Sequence, residues 1–362
     1  MNIDFANLQL QYQKYKVDID ANIQAVLNKS NYIMGEEVHE FERALEEFTG
    51  AKHAITCSSG TDALLLAMMA MDIQPDDEII TTPFTFIATA ETIALMKAKP
   101  VFVDIESDTF NIDANLIEAA ITDKTKAIMP VSLYGQPADM DIIQAIADKH
   151  NLKVIIDGAQ SFGSTHNDKT DSNLGDISIT SFFPSKPLGC YGDGGAVFTN
   201  NDEYAKAIKM MRVHGQNKHY HHKYIGMGGR LDTIQAAILL AKLPHYPQEL
   251  ADRQKIAQHY TDVLSDRLQT PVIKLNRSSA WAQYTVRVNN RDTLQAKLKD
   301  SGIPTAVHYP MPLHLQECLQ YLNYKQGDFP ISKQASKEVM SLPMNSFLTN
   351  KEIEYIVKKL KN

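Results

Sequence analysis

The chain has 362 residues, 44% of them hydrophobic and 22% charged, with a formal net charge of −7. Such a composition excludes wholesale disorder and supplies enough apolar material for one large core and a second, smaller one. The longest unbroken apolar run spans 63–71, far short of the roughly 20 residues that cross a bilayer, and no long Lys/Arg run offers the electrostatic footprint of a nucleic-acid binder.

In chain order, Met1–Phe5 lacks the basic stretch and apolar core of a secretory leader, so a cytoplasmic protein is expected. Cys57, Cys190 and Cys318 are odd in number, widely spaced and without a CxxC pair, which fits reduced thiols rather than a disulfide framework or zinc ribbon. From about 50 to 200, short β-branched or apolar runs alternate with segments of helical period. Strands are expected at 54–57, 78–81, 101–104, 127–130, 154–157, 177–180 and 195–198, with helices such as 61–71, 87–96 and 140–150 between them. This is the rhythm of βα units on a mainly parallel seven-stranded sheet. After 230 the pattern shifts to helices at 231–243 and 249–268, a strand at 283–288, and helices at 294–299, 332–340 and 350–360. The expected organisation is a large α/β domain, 1–245, and a smaller C-terminal α+β domain, 246–362. No Gly/Ser tether separates them.

Ligands of open α/β sheets bind beyond the carboxyl ends of the strands, and three such ends carry chemistry. The first, Cys57-Ser58-Ser59-Gly60-Thr61-Asp62, opens a helix. Free N–H groups and hydroxyls at a helix N-terminus form a phosphate cradle, although a plain Ser/Thr cap reads the same way. In the second, Asp157 follows a fully apolar strand and precedes Gly158-Ala159-Gln160. A carboxylate there needs a partner, either a cationic ligand nitrogen or the N–H groups of a turn. The third, Ser181-Phe182-Phe183-Pro184-Ser185-Lys186 with Gly192-Asp193-Gly194-Gly195, sets one lysine in an apolar, glycine-rich stretch. Burial lowers a lysine's pKa and favours the nucleophilic neutral amine. A phosphate cradle, an acid for a ring nitrogen and a desolvated lysine are together what pyridoxal 5′-phosphate requires.

These segments, with Arg230-Leu231-Asp232-Thr233-Ile234-Gln235, resemble the sugar-nucleotide aminotransferases of the fold-type I (aspartate aminotransferase-like) pyridoxal-phosphate superfamily, nearly end to end. Pro130–Gln136 and Pro304–Pro310 look closest to the branch that aminates C3 of UDP-linked 2-acetamido-3-oxo sugars, in particular the glucuronic acid, for bacterial surface polysaccharide such as lipopolysaccharide O-antigen. The resemblance implies pyridoxal 5′-phosphate as cofactor. Lys186 would join its aldehyde and shuttle protons, and Asp157 would hold the ring nitrogen protonated. Gln160 would contact the phenolic oxygen, Gly60, Thr61 and Ser181 would take the phosphate, and Phe84 would stack on the ring. Tyr32, Met34, Gly35, Arg230, His308 and Tyr309 are the positions it implies for the nucleotide sugar, with glutamate as amino donor and a homodimer whose active sites lie at the subunit interface.

The chain departs from the pattern at one position. Relatives carry Gly-X-Asn-X-Arg, whose asparagine reaches the neighbouring subunit's cofactor phosphate, whereas here the run is Gly226-Met227-Gly228-Gly229-Arg230. That side-chain contact is therefore expected to be absent or replaced. Neither the nucleotide base, the C6 carboxylate nor the keto position is legible in motif spacing, so a dTDP-linked 3- or 4-keto-6-deoxy sugar is the alternative substrate. Retention of Lys186 argues against the family's 3-dehydratases, in which histidine replaces the lysine. His214, His219, His221 and His222 cluster without cysteine or a helical carboxylate partner and are expected to be ordinary hydrogen-bonding residues rather than metal ligands.

Overall fold

The structure is a computed structural model describing residues 1 and 3–361. Its centre is a seven-stranded sheet built from β1 (His53–Cys57), β2 (Glu78–Thr81), β3 (Lys99–Phe102), β4 (Thr125–Ile128), β5 (Lys153–Asp157), β6 (Ile177–Ser181) and β7 (Gly195–Thr199), in the order β1-β7-β6-β5-β4-β2-β3. Every pair among β2 to β6 is parallel, and β7 runs antiparallel to both its neighbours. The sheet is the mainly parallel one expected. Its third strand falls two residues earlier than the expected 101–104, because Lys99 and Pro100 pair with Glu78 and Ile79.

Successive residues of a strand point to opposite faces, and both faces here are covered. Ile55, Ile79, Ala127, Ile155 and Val197 pack beneath α3 (Gly60–Ala70), α4 (Ile87–Leu95) and α6 (Asp202–Met211). Ala54, Ala196 and Phe198 meet α2 (Glu36–Thr49) and α7 (Thr233–Lys242), and Ile80, Ile128, Val154 and Ile156 meet α5 (Met140–His150). Burial on both sides explains why the strands read as unbroken apolar runs. Strand pattern gives no element before residue 54, yet α1 (Leu8–Lys29) and α2 lie there. The first packs on α7 through Tyr15 and Ile19, while Val17 and Leu27 stay exposed, so its apolar residues do not form one stripe.

A second core gathers Tyr260 and Leu264 of α8 (Tyr246–Leu264), Tyr284 and Val286 of β8 (Tyr284–Arg287), Met340 and Leu342 of β9 (Val339–Leu342), and Ile353 and Ile356 of α11 (Asn350–Lys361). The strand at 339–342, paired antiparallel with β8, replaces the end of the expected helix 332–340. That helix, α10 (Pro330–Glu338), stops before it; a four-residue, mostly apolar run after a helix carries no period of its own. Between β8 and α10 lies α9 (Arg291–Asp300). Several packing groups cross the expected division at 245/246, among them Tyr246 with Phe162 and Phe182, and Ala335 and Val339 with Phe84 and Ile105. Ile3 joins the second core, its N–H bonded to Gly302 O at 3.0 Å, and Leu313, Leu319 and Phe329 pack on Ala90 and Phe102 of the sheet side.

Candidate active site

A cavity of about 480 Å³ lies beyond the carboxyl ends of β1, β5 and β6 and is closed on one side by His308 and Tyr309. Ser59, Gly60, Thr61, Phe86, Asp157, Gln160, Ser181 and Lys186 line it, so the three informative strand ends converge on one space.

The cradle is built by local capping. Ser59 Oγ accepts from Asp62 N–H at 3.0 Å, which ends the preceding turn and starts α3. Ser58 Oγ in turn holds the Asp62 carboxylate. The N–H groups of Gly60 and Thr61 have no acceptor among the described residues, as expected for the first turn of a helix, and they sit where the helix dipole favours an anion. Glycine is required twice because backbones approach closely here. A Cβ on Gly60 would lie 2.8 Å from Ser181 Cβ, and one on Gly195 would lie 2.5 Å from the carbonyl of Ser59.

Asp157 is 5% exposed. Its Oδ2 accepts from Thr89 Oγ1 at 2.7 Å and its Oδ1 from Ala159 N–H at 3.2 Å. Thr89, from α4, is itself bonded to Thr85 at 3.1 Å; with its proton on Asp157 it must be the acceptor. Burial pushes the Asp157 carboxyl above its ordinary value, and no cationic side chain pairs with it among the described residues. The positive partner that a buried carboxylate needs is therefore left to whatever fills the cavity. Gln160 is held in place by accepting from Tyr134 N–H at 2.7 Å and donating to Tyr309 Oη at 3.1 Å. The amide keeps a second N–H for an acceptor in the cavity.

Lys186 is half-buried, and its amine has no acceptor among the described residues. Burial lowers its pKa to about 8, the nearby charge of Asp157 offsetting part of the effect. The loop that carries it is fixed from outside the cavity: Lys242 Nζ donates to Gly189 O, and Gln235 Oε1 accepts from Tyr191 N–H at 2.8 Å. His308 faces the same space, its Nδ1 2.9 Å from Ser341 Oγ. Burial, with the Lys186 charge adding to it, pushes the imidazole down to about 4, so it is neutral at pH 7. Tyr134 Oη donates to His308 O and clamps this segment to the large core.

Of the residues expected at the site, Gly60, Thr61, Asp157, Gln160, Ser181, Lys186, His308 and Tyr309 share the cavity. Phe84 does not. It is fully buried among Ile105, Phe110, Val131 and Leu133, and the ring on the cavity wall is Phe86, 54% exposed in the single chain. The segment after β2 is irregular, so which of two rings two residues apart turns inward is not fixed by alternation. Tyr32, Met34, Gly35 and Arg230 also lie outside the wall. They adjoin one another through the start of α7, where Tyr32 O accepts from Thr233 N–H and Gly35 N–H donates to Thr233 Oγ1, both at 3.0 Å. Next to Arg230, Gly228 is exposed, and a Cβ there would be 3.3 Å from the His214 ring. Two other histidines of that cluster take ordinary bonds, His221 Nδ1 to Asn217 Oδ1 at 2.7 Å and His222 Nδ1 to His214 O at 2.8 Å, while the His219 ring lies against Tyr220.

Set beside known proteins, residues 13–361 match the model of the DegT/DnrJ/EryC1/StrS aminotransferase family. The chain is 52% identical over 361 residues to UDP-2-acetamido-2-deoxy-3-oxo-D-glucuronate aminotransferase of Pseudomonas aeruginosa, covering 99% of this chain and 100% of that one. It is 40% identical over 356 residues to dTDP-3-amino-3,6-dideoxy-alpha-D-galactopyranose transaminase of Aneurinibacillus thermoaerophilus, covering 98% and 97%. Among solved structures, NtdA from Bacillus subtilis with bound cofactor PMP superimposes with a TM-score of 0.93 at 29% identity, covering 99% of this chain and 84% of that one.

The two phenylalanines separate packing from binding. Phe84→Ala is expected to lower the unfolding free energy by about 3–5 kcal/mol in a denaturant melt. Phe86→Ala should stay within about 0.5 kcal/mol of the parent yet weaken pyridoxal phosphate binding roughly 2- to 10-fold, the worth of a lost aromatic stack. Equal losses of affinity in both variants would contradict the assignment of Phe86 to the wall.

Proposed function

The chain belongs to the DegT/DnrJ/EryC1/StrS aminotransferase family, and from that premise we propose that it moves the amino group of glutamate to the 3-keto carbon of a UDP-linked 2-acetamido-3-oxo sugar, the glucuronic acid, for bacterial surface polysaccharide. The observation that carries this reading is the convergence of Lys186, Asp157 and the free N–H pair at Gly60 and Thr61 on one cavity. The 52% identity to a relative of that name supports the sugar. The cofactor of the family is pyridoxal 5′-phosphate, and the residues fit it: an unpaired anion cradle, a buried carboxylate without a cation, and an amine without an acceptor. When bound, it supplies an electrophilic aldehyde and a cationic ring that can accept an electron pair.

Each protein group then has a stated task. Gly60 and Thr61 N–H, with the Ser181 hydroxyl, hold the phosphate. Asp157, oriented by Thr89, keeps the ring nitrogen protonated through a charge-assisted hydrogen bond, which both need in a buried site. Gln160 donates its free N–H to the phenolic oxygen, and Phe86 covers one face of the ring. Lys186 Nζ takes the α-proton of the amino donor and delivers a proton to the sugar carbon that receives nitrogen; a pKa of about 8 lies near the working pH, as a proton shuttle requires. His308 and Tyr309 bound the place of the sugar. Arg230, without a carboxylate partner among the described residues, is the cation assigned to the C6 carboxylate.

The working unit in this reading is a homodimer in the cytoplasm. Tyr32, Met34, Gly35 and Arg230 do not reach the cavity of their own chain, and Ile33, Phe183, Tyr220 and Ile225 leave 50–89% of their surface exposed. Exposed apolar groups of this kind mark an association surface, and a second copy would bring those substrate positions to a neighbouring site.

Lys186→Ala is expected to abolish the visible absorbance that appears when pyridoxal phosphate is added, together with turnover. In the wild type, the uptake rate should rise with pH and level off above about 8. The depressed pKa leaves roughly a tenth of the amine unprotonated at pH 7, against well under a thousandth for an ordinary lysine; a midpoint near 10.5 would refute burial of the amine. In a panel of UDP- and dTDP-linked 3- and 4-keto sugars, the UDP-2-acetamido-3-oxo-glucuronate should give the highest kcat/KM, and Arg230→Ala should lower it for that sugar far more than for its 6-hydroxymethyl counterpart. Preference for a dTDP-6-deoxy sugar would select the other reading. Sedimentation velocity should return a dimer; an active monomer would contradict the shared site.

A further inference from the structure

Gln283 puts a second carboxamide on the wall of the cavity that holds Gln160 and Lys186. The next residue, Tyr284, opens β8 and is fully buried in the second core, so alternation turns Gln283 to the opposite side. Its N–H donates to Tyr134 O at 3.4 Å, while Tyr134 N–H donates to Gln160 Oε1 at 2.7 Å. The two glutamines thus flank one residue. On β9, Ser341 pairs with Thr285, and its Oγ lies 2.9 Å from both Thr285 Oγ1 and His308 Nδ1. Gln283 and His308 are therefore placed by the same two-stranded ribbon.

Gln160 is bonded at both ends of its amide, to Tyr134 and Tyr309. Gln283 is not. Its Oε1 is buried and has no donor among the described residues, and a buried acceptor left without a donor costs the full desolvation of the group. A carbonyl oxygen only accepts, so the missing partner carries an N–H or O–H. Phosphates and carboxylates, which supply acceptors alone near neutral pH, do not meet that need.

We propose that Gln283 is a substrate residue that reads C2 of the sugar, its Oε1 accepting the N–H of the 2-acetamido group. The proposal rests on the functional reading above and deepens it. Lys186 marks the place of C3, the carbon that exchanges oxygen for nitrogen, and C2 is bonded directly to C3. Gln283 shares the cavity with Lys186 and is coupled to Gln160 through Tyr134, so its amide stands beside the reacting carbon rather than out toward the nucleotide. The acetamido N–H is a donor that cannot turn into an acceptor, and a sugar with no donor at C2 leaves Oε1 unpaired.

The test is calorimetric, on protein loaded with pyridoxal phosphate, with UDP-N-acetylglucosamine and UDP-2-deoxyglucose as probes. Neither has a ketone, so neither reacts. Wild type should bind the acetamido probe more tightly, and Gln283→Met, of similar length but without polar atoms, should shrink that ratio of affinities roughly tenfold, the worth of one hydrogen bond. Gln283→Glu keeps an acceptor at the same reach and should preserve most of the ratio. A ratio unchanged in Gln283→Met would leave the amide serving a water in the adjoining hollow of about 20 Å³ and overturns the proposal. So does a Glu variant that loses the ratio as fully as Met. Wild type that binds both probes alike refutes the role at C2 alone, whereas wild type that binds neither refutes the UDP-sugar reading and this proposal with it.

Discussion

The arrangement hangs on one buried carboxylate. Asp157 ends a strand whose preceding residues are apolar and fully covered, and the fold gives it two neutral donors and no cationic hydrogen-bond partner among the described residues. An ionised carboxylate in such surroundings costs several kcal/mol unless a positive charge lies against it. The molecule therefore reserves a place for a cationic ligand atom at the carboxyl end of β5, and the other features of the site are arranged around that place. Thr89 aims the carboxylate, and the turn from Gly158 to Ser161 sets its height. The cradle at Gly60 and Thr61 is a second anchor, one that accepts only an anion. A ligand with a protonated ring nitrogen and a phosphate satisfies both.

Lys186 is the mirror of that arrangement. Without a ligand, burial biases both Lys186 and Asp157 toward neutrality, each stabilised by the other's charge but neither hydrogen-bonded to it. A cation against Asp157 lets that carboxylate ionise, and an electrophile at Lys186 consumes the neutral amine. The same binding event removes both penalties, which explains how the chain can keep two poorly satisfied ionisable groups in one cavity. Lys242 and Gln235 hold the lysine loop from behind, so the amine stays aimed while its charge changes.

How much of this could be read in the chain depended on whether a residue's role is written locally. The sheet was legible because strands buried on both faces are short apolar runs, and the site because Asp157, Lys186 and the Ser59–Asp62 turn each interrupt or end such a run. Thr89 was not legible: its partner is 68 residues away, and a threonine in an apolar helix carries no local mark. The burial of Phe84, expected on the ring, was illegible for a related reason, since the side of an irregular segment that meets the core is set by Phe110 and Leu133, distant in sequence. The strand at 339–342 exists only because β8 offers an edge, and Ile3 reaches the second core through a single backbone bond to Gly302.

The substrate positions outside the cavity follow the same logic at the next level. Tyr32 and Gly35 are tied to Thr233 at the head of α7, three residues after Arg230, and the other turns of that helix bear on the lysine loop through Gln235 and Lys242. A second copy docked on this face would therefore meet residues whose positions are already coupled to the amine of their own chain. Sugar recognition across such an interface would need no movement of either site. Gly228 lies in the same region: a Cβ there would be 3.3 Å from the His214 ring and 3.7 Å from the Arg230 guanidinium.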